Sequence, residues 1–558
     1  MKAVICLVTV CFILAPGCSK KTSPTVTPPV IPTALVLQTV TVDGINNGSK
    51  YIGLAGKPVT RLAFSAPVNQ STVASSIKLQ DKSGTAVPIT LAYEKGDSLL
   101  VITPSNSLAF LTDFKLLVLT TLASKNGAKL SSAADIDLRT DIDPTPKYPA
   151  LSDNALLDKV QRVTFKYFWD FGHPTSGLAR ERTNGDNNVV TSGGSGFGVM
   201  AIVAAIDRGF ITRAEGLARL KLMTDFLQNT AQKFHGAFPH WLHGATGVVI
   251  PFSAKDNGAD LVETSYLIQG LLCARQYFNG ADAGEVALRN TINSIWRGVE
   301  WNWFRKNNEE VLYWHWSPNF GWDMNLQVRG WNECLITYAL AASSPTFAIP
   351  KSVYDQGFAR SGNMKNGKSF YGLSLPLGED YGGPLFYSQY SFLGINPTDL
   401  KDAYADYWLQ NKNHTLINYN YCKEDSKNHG YSANNWGLTA SDIPNGYTAS
   451  SPTNDVGVIA PTAALSAFPY TPVESMQALK YFYYTLGDKI WKENEFGFVD
   501  AFSLKELWFA PSYLAIDQGP IIVMIENYRS GLLWKLFMEC AEVKSGMKGL
   551  GFTSPNLN

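Results

Sequence analysis

Residues 256–271 read DNGADLVETSYLIQGL, a polar turn that runs directly into an apolar helix. Asp260 stands at the position of a helix N-cap, and Glu263 follows three residues later, the spacing of a capping box. The leucine-rich remainder of the helix is apolar enough to bury a neighbouring carboxyl. The stretch therefore predicts a helix over 260–278 whose first turn carries either a cap partner or a catalytic acid.

Helical periodicity of this kind, with apolar residues at spacings of three and four, continues from about Ser152 to about Cys540. Candidate helices cover 152–170, 197–209, 212–231, 260–278, 283–304, 330–342, 384–393, 399–419, 456–467, 473–486 and 519–540. About eleven or twelve helices in this stretch are what a double-layered barrel of six helical hairpins needs. A helical solenoid is disfavoured because no fixed repeat of about 34 to 47 residues is visible. We expect an all-α (α/α)6 barrel over 152–545.

Residues 34–140 have a different pattern, with short alternating runs such as VLQTVTV, TRLAFSAPV and FKLLVLTTL between Gly, Asn, Asp and Pro turns. Such runs predict a small all-β sandwich. The phrases FSAPVN, LQDKSGTAVP, LLVITP and NGAKLSS resemble bacterial Ig-like modules. We assign this domain a spacer or docking role, with a linker over 141–151.

The first eighteen residues, MKAVICLVTVCFILAPGC, combine a basic start with an apolar run too short to span a bilayer. They resemble a lipoprotein signal peptide over 1–18, with Cys18 as the lipidation site. Ordinary secretion with cleavage nearby is the alternative. Residues 19–33, rich in Ser, Thr and Pro, predict a tether. Both interpretations place the protein in the cell envelope, and the lipoprotein would be periplasmic or at the outer membrane.

Composition excludes several partners. Of 558 residues, 47 are Lys or Arg and 47 are Asp or Glu, so the chain has no net charge to attract nucleic acid or a membrane surface. The expected ligand is neutral, membrane contact is expected only through a lipid anchor, and a monomer is expected. The downstream cysteines, Cys273, Cys334, Cys422 and Cys540, are spaced too widely for a metal motif and predict buried free thiols.

No metal or other cofactor is expected. His240 and His243 are three residues apart, but no convincing third ligand accompanies them. A serine nucleophile is also disfavoured, because the glycine-rich Gly193–Phe197 segment lacks the spacing of a nucleophile elbow.

The loops between the helices are long and aromatic, covering 170–196, 236–259, 306–328, 359–382 and 421–455. Loops of this length are usually functional. Many of the 14 Trp and 25 Tyr lie in them. These aromatic residues suit platforms for the apolar faces of sugar rings, or they pack the loops onto the barrel.

Seven segments in order resemble the bacterial glucoamylase-like family, glycoside hydrolase family 144. They are TSGLARERTNG, TSGGSGFGVMAIVAAIDRGFI, GAFPHWLHGATG, ADLVETSYLIQGLL, GWNECLITYALAASSPTFAIP, NWGLTASDIPNGY and IDQGPIIVMIENYRSGLLWKLF. The resemblance covers 152–540. It implies an (α/α)6 barrel that hydrolyses β-1,2-glucans, by internal cleavage or by release of sophorose.

Glycoside hydrolysis needs one protonated carboxyl and one ionised carboxylate. Glu263 is the candidate acid, because an apolar wall raises the pKa of a carboxyl and the family resemblance implies the same role. Asp455, where a loop meets the next apolar helix, is the candidate partner, although an N-cap would explain it equally. Asp442 and Glu181 are held in reserve.

Further polar and aromatic residues are candidates for sugar contacts, or for a network inside the barrel. They are Arg180, Asp186, His240, Trp241, Trp316, Glu333, Trp436, Asp517, Gln518 and Asn527. Two other functions stay open: a glycan-binding lipoprotein without activity, and another α/α-barrel enzyme such as an α-glucan hydrolase or a lyase.

Overall fold

The computed structural model describes residues 33–558. The expected signal peptide, Cys18 and almost all of the tether lie outside the described residues. The chain divides into two compact units, one up to Ile142 and one from Asp143 onward.

The first unit is built from two sheets around one hydrophobic core. Its strands are β1 Leu37–Val42, β2 Lys50–Leu54, β3 Thr60–Phe64, β4 Ile77–Asp81, β5 Ala86–Val87, β6 Ile89–Glu94, β7 Leu99–Pro104, β8 Asp113–Val118 and β9 Ala134–Thr140. One sheet has the order β1-β3-β7-β6 and the other β2-β9-β8-β4-β5, with β2 and β9 parallel. Buried Leu62 and Ile102 from one sheet share a core cluster with Leu79 and Leu116 from the other. Alternation in the strands therefore buries one face of each sheet.

One element of this unit departs from the expectation of strands alone. Helix α1, Gln70–Ser76, begins at Asn69, whose side chain accepts a hydrogen bond from the Ser71 amide. Because Val73 and Ser76 are its only buried residues, its sequence has no helical apolar stripe that could have revealed it.

The second unit is helical. Its helices are α2 Asp153–Trp169, α3 Ser192–Asp207, α4 Arg213–Asn229, α5 Leu261–Tyr277, α6 Ala283–Gly298, α7 Leu335–Ser343, α8 Lys351–Val353, α9 Tyr407–Glu424, α10 Pro461–Leu465, α11 Pro472–Lys480, α12 Gly487–Ile490, α13 Ala515–Arg529, α14 Leu532–Met538 and α15 Ala541–Leu550. Single turns of 3-10 or π helix occupy Trp301–Arg305, Tyr354–Phe358, Leu385–Ser388, Ser391–Leu393 and Tyr481–Thr485.

The loops carry short hairpins. Their strands are β10 Val189–Thr191, β11 Trp241–His243, β12 Val249–Ile250, β13 Ala259–Asp260, β14 Leu312–Tyr313, β15 His315–Trp316, β16 Gln327–Val328, β17 Ser369–Phe370, β18 Leu373–Ser374, β19 Ala440–Ile443, β20 Gly446–Ala449, β21 Trp491–Lys492, β22 Gly497–Phe498, β23 Phe502–Ser503 and β24 Trp508–Phe509. Some of these strands pair within one loop, and others, such as β10 with β11 and β13 with β15, join different loops.

Burial separates the helices into two layers. Helices α3, α5, α7 and α13 are buried over nearly their whole length, whereas α2, α4 and α6 bury one face. Helix α3 packs against α5 and α13. At the α3–α5 crossing, a Cβ on Gly196 or Gly270 would overlap main-chain atoms of the facing helix. Only glycine permits this backbone approach.

Several expected helices differ in extent. The range 384–393 forms two 3-10 turns, and 399–419 becomes α9, which begins at Tyr407 after its cap Asp406. The range 519–540 divides into α13 and α14 at Gly531, which has a positive φ of 70°. A left-handed residue ends a helix, so one apolar run became two helices.

Among residues 33–558, no helix combines the length and the apolar character needed to cross a bilayer. The cysteines of the helical unit, Cys273, Cys334, Cys422 and Cys540, are buried and free, as predicted.

Candidate active site

Three buried helices begin at the same place. Gly193 lies in the first turn of α3, Glu263 is the third residue of α5 and Asp517 the third residue of α13. A Cβ on Gly194 would lie 2.7 Å from Cβ of Ala515, so the first turns of α3 and α13 are in contact. The amides of a helix N-terminus favour negative charge, which suits carboxylates at these positions.

Glu263 is 4% exposed and is held by α3. Its Oε2 accepts hydrogen bonds from the Gly193 amide, at 2.8 Å, and from the Thr191 hydroxyl, at 3.2 Å. A Cβ on Gly193 would lie 2.5 Å from this oxygen, so the contact requires glycine. Burial raises the pKa of Glu263, while a positive charge on His240 opposes the rise. A raised pKa favours the protonated carboxyl that general acid catalysis needs.

Asp260 is the N-cap of α5, as predicted. Its Oδ1 accepts from the amides of Val262 and Glu263, at 3.0 and 2.9 Å. Glu263 does not close the capping box, because its side chain reaches α3 instead. Asp260 Oδ2 lies 3.1 Å from His240 Nδ1, so one carboxylate both caps the helix and orients an imidazole.

His240, which is partly exposed, and the buried Asp260 belong to an ion-pair cluster with Asp256 and His315. His315 Nε2 lies 3.4 Å from Asp256 Oδ2 and 3.5 Å from Asp260 Oδ2. Burial and the charge of Asp260 raise the pKa of Asp256 to about 6. Despite its burial, the two imidazoles hold the pKa of Asp260 well below its usual range.

In the described part of the chain, His240, Asp256 and Asp260 have the spacing of metal ligands, with candidate atoms within 4.8 Å of one another. Because imidazole and carboxylate already pair within this group, we interpret it as an ion-pair cluster.

A second charged group lies around Arg182. Its guanidinium donates to Glu181 Oε2 at 2.8 Å and to Asp442 Oδ1 at 2.9 Å. Ser512 donates to Asp442 Oδ2 at 2.6 Å. Asp442 and Arg182 line a cleft of about 510 Å³, which is completed by Asn184, Ile443, Pro444, Gly446, Tyr447, Trp508 and Pro511. The Arg182 guanidinium can therefore hold the Asp442 carboxylate in place at the wall of the cleft.

Asp500 and Asp517 continue this group into the interior. The Asp442 amide donates to Asp500 Oδ2 at 2.7 Å, while both carboxylate oxygens of Asp517 lack a hydrogen-bond donor among the described residues. Burial, then the charge of Asp442, raises the pKa of Asp500 to about 7. Burial and Asp500 raise the pKa of Asp517 well above its usual range. Burial and the charge of its neighbour thus favour the protonated form of each carboxyl.

Aromatic rings connect the two charged groups. Tyr266 and Tyr390 pack edge to face, with ring centroids 5.7 Å apart. Burial raises the pKa of Tyr390, and the charges of Asp517, Glu333 and Glu263 add to this rise. Carboxylates of both charged groups therefore raise the pKa of the same side chain, Tyr390. Glu333, which is partly buried just before α7, has its pKa raised to about 7 by burial.

Asp455, the predicted partner of Glu263, lies in a separate network. Tyr431 donates to Oδ1 and Tyr421 to Oδ2, at 2.8 and 3.0 Å, and the Gly457 amide also donates to Oδ1. Its side chain is 1% exposed. These bonds fasten its loop to the end of α9, and no described contact brings it to Glu263, whereas Asp442 lines a cleft.

Several of the residues predicted to contact sugar have hydrogen-bond partners within the protein. Trp436 is fully buried and donates to a backbone carbonyl, as do the side-chain amides of Gln518 and Asn527. Arg180 donates to two backbone carbonyls, and Asp186 accepts from Asn188 in a turn.

Trp241 and Trp316 remain partly exposed in aromatic clusters. Trp241 packs on Phe252, with ring centroids 4.8 Å apart, and Trp316 packs on Trp303 at 5.3 Å. Phe252 is 49% exposed, so the Trp241 cluster presents an open aromatic surface beside His240.

Sequence reasoning missed Arg182, Asp256, His315, Asp500 and Ser512. Arg182 adjoins Glu181 in the ARER segment, but its second partner, Asp442, lies 260 residues away. Asp256 and His315 carry no local motif, and a strand pairing brings His315 beside Asp260.

The chain is similar in sequence and structure to several known proteins. The glycoamylase family model matches residues 325–541, and the bacterial Ig-like domain matches 38–140. An endo-β-1,2-glucanase from Chitinophaga pinensis is 54% identical, with a TM-score of 0.71 over 73% of this chain and 100% of that one. The chain belongs to the glucoamylase-like family of glycoside hydrolases.

Two further members of the family come from Parabacteroides distasonis. A β-1,2-glucanase structure is 36% identical, with a TM-score of 0.70 over 93% of this chain and 73% of that one. An exo-β-1,2-glucooligosaccharide sophorohydrolase acting at the non-reducing end is 45% identical over 423 residues, which cover 72% of this chain and 58% of that protein.

Proposed function

We propose that this protein hydrolyses the β-1,2-glucosidic bonds of β-1,2-glucan or of its oligosaccharides. The observation that carries the proposal is the Glu263 carboxyl, which is buried, raised in pKa and fixed by α3 in a family whose relatives act on this linkage. The electroneutral composition suits an uncharged glucan.

In the proposed reaction Glu263 is the general acid. Its proton passes to the glycosidic oxygen as the C–O bond breaks, and Glu263 is left as a carboxylate. Asp442, paired with Arg182 at the cleft wall, is the ionised carboxylate that activates water. We assign the base role to Asp442 in place of Asp455.

We further infer that the two helix layers form an (α/α)6 barrel. The buried members are α3, α5, α7, the 3-10 turns at 385–393, α10 and α13, and each follows an outer helical segment in the chain. In this arrangement Glu263 and Asp517 lie at one mouth of the barrel, because both stand in the first turn of an inner helix.

Product analysis tests the function. Linear β-1,2-, β-1,3-, β-1,4- and α-1,4-glucans are incubated with the protein, and only the first is expected to yield sophorose or sophoro-oligosaccharides. The sizes of the products over time distinguish internal from terminal cleavage. Activity on α-1,4-glucan alone would support the α-glucan hydrolase and overturn the proposal.

Glu263→Gln tests the acid. We expect turnover to fall by at least about a hundredfold, the lower end of a general acid's contribution, while the substrate still binds in calorimetry. Glu539→Gln, at an exposed position, is the matched control and should retain full activity. Binding without turnover in the wild-type protein would favour the glycan-binding alternative.

We also propose export and lipid anchoring at Cys18, on the sequence of residues 1–18. Fractionation of cells that express the wild-type chain or Cys18→Ser checks this proposal. A soluble wild-type protein would contradict it.

A further inference from the structure

The imidazole of His240 is fixed from three sides. Nδ1 lies 3.1 Å from Asp260 Oδ2. The ring stacks on Phe252, with centroids 4.2 Å apart and an interplanar angle of 23°, and Trp241 meets it at 88°. Since a carboxylate accepts at Nδ1, that nitrogen carries a proton, and Nε2 is the end of the ring left to act on a neighbour.

That neighbour is Glu263. His240 Nε2 lies 4.0 Å from Glu263 Oε1. The other oxygen, Oε2, is held by Gly193 and Thr191. Among the described residues no hydrogen bond reaches Oε1, so Oε1 is the oxygen available to carry the transferable proton, and the imidazole is poised beside it.

We propose that His240 is a positioning residue that sets the acid strength of Glu263: as an imidazolium held by Asp260, it stabilises the carboxylate that remains when Glu263 has given up its proton. His240 itself donates no proton in this step and touches no reacting atom. The inference rests on the proposed role of Glu263 as the acid.

The charges around the ring support this role. The titratable groups that face His240 are Asp256, Asp260, Glu263 and His315. Burial opposes a charge on the ring, but the three carboxylates outweigh it and raise the pKa of His240 to about 9. The same interaction lowers the pKa of Glu263 against the effect of burial. An opposite charge at about 4 to 6 Å typically shifts a carboxyl pKa by about 1 to 3 units.

The pH profile of hydrolysis provides the first test. The fall of kcat/KM at high pH, its alkaline limb, reports the pKa of the general acid in the free enzyme. In His240→Gln the positive charge is lost and the pKa of Glu263 rises, so the alkaline limb should move to higher pH by about one unit or more. We expect kcat to fall while KM changes little, because the variant alters the proton donor and not a sugar contact.

His243→Gln is the matched control. His243 lies three residues further along the same loop, and its Nδ1 accepts from the amides of Ala245 and Thr246, away from Glu263. This variant should leave the alkaline limb in place. If His240→Gln lowers kcat equally at every pH, or raises KM with an unmoved limb, then His240 is a scaffold or sugar-binding residue and the proposal is overturned.

A second test needs no activity. The titration of His240 is followed by NMR of protein labelled at the histidine Cε1, with the resonance assigned by its loss in His240→Gln. The coupling between two titrating groups is reciprocal. The pKa of His240 should therefore be lower in Glu263→Gln, which lacks the carboxylate, than in the wild-type protein. An unchanged pKa would overturn the inference. If wild-type protein cleaves no glucan, the proposed function fails, and the NMR titration still decides whether the two side chains are coupled.

Discussion

At the scale of single residues, Asp260 performs two tasks with two oxygens. Oδ1 caps α5, and Oδ2 orients the imidazole of His240. The capping-box spacing suggested that Glu263 was either a cap partner or a catalyst. Because Asp260 caps the helix without help, Glu263 is free to bond to α3, and the acid role proposed for it does not cost the helix its cap.

The two tasks of Asp260 can be separated by substitution. Asp260→Asn keeps an acceptor for the cap and loses the charge, whereas Asp260→Ala loses both. We expect the free energy of unfolding to be about 1 kcal/mol lower in the alanine variant than in the asparagine variant, the usual value of an N-cap. Urea unfolding followed by tryptophan fluorescence measures the difference. Equal stabilities would show that the cap contributes nothing.

Local spacing located Asp260 and Glu263, because a helix start is encoded within a few residues. The same reasoning selected Asp455, which also precedes an apolar helix, but it could not show the tyrosines that bind it, Tyr421 in α9 and Tyr431 in the following loop. The pairing of Arg182 with Asp442 depends on how two loops meet, which chain spacing does not contain.

At the scale of elements, the site depends on how closely α3 and α5 pack. Gly196 and Gly270 face each other where the helices cross, and a Cβ on either would overlap main chain. This contact sets the separation between Gly193 and Glu263, so helix packing determines the geometry of the acid.

Gly270→Ala should therefore be strongly destabilising. Main chain cannot move aside as a flexible side chain can, so we expect a loss of about 3 kcal/mol, the upper end for overpacking. Gly549→Ala, in α15 with open space around the new Cβ, is the control and should be neutral or stabilising by up to about 1 kcal/mol. Thermal and urea unfolding compare the two, and equal effects would contradict close packing.

Helix α2, which has an apolar stripe, and helix α5, whose start is marked by its cap Asp260, were predicted to within a residue at each end. Segments such as 384–393 were not, because a short buried run has no period that separates a helix from successive 3-10 turns. Helix α15 was missed because it follows α14 without a turn signature.

At the scale of the whole molecule, all 14 tryptophans lie in the helical unit, the first at Trp169. Tryptophan fluorescence therefore reports the unfolding of that unit alone.

The titrating groups of this unit predict an unusual pH dependence. Asp256, Glu333 and Asp500 have folded-state pKa values of about 6, 7 and 7, above those of an unfolded chain. Between about pH 4 and 7 the folded state therefore binds more protons, and stability falls as pH rises. His240, with a pKa of about 9, extends this fall from about pH 6.5 to 9.

The fluorescence-detected urea midpoint should thus be higher at pH 5.5 than at pH 8.5. Asp500→Asn removes one of the raised carboxyls and should flatten the dependence. A midpoint that increases from pH 5.5 to 8.5 would show that ion pairs with depressed carboxyl pKa values dominate instead.

The contact between the Gly193 amide and Glu263 also offers a criterion for classifying unstudied sequences. A methyl group at position 193 would overlap the carboxyl oxygen of Glu263. Any residue other than glycine at this position would therefore displace the proposed acid. A homologue that retains the glutamate but replaces this glycine should have lost hydrolysis while keeping its fold. Genome surveys could use positions 193 and 263 together to distinguish inactive homologues from active enzymes.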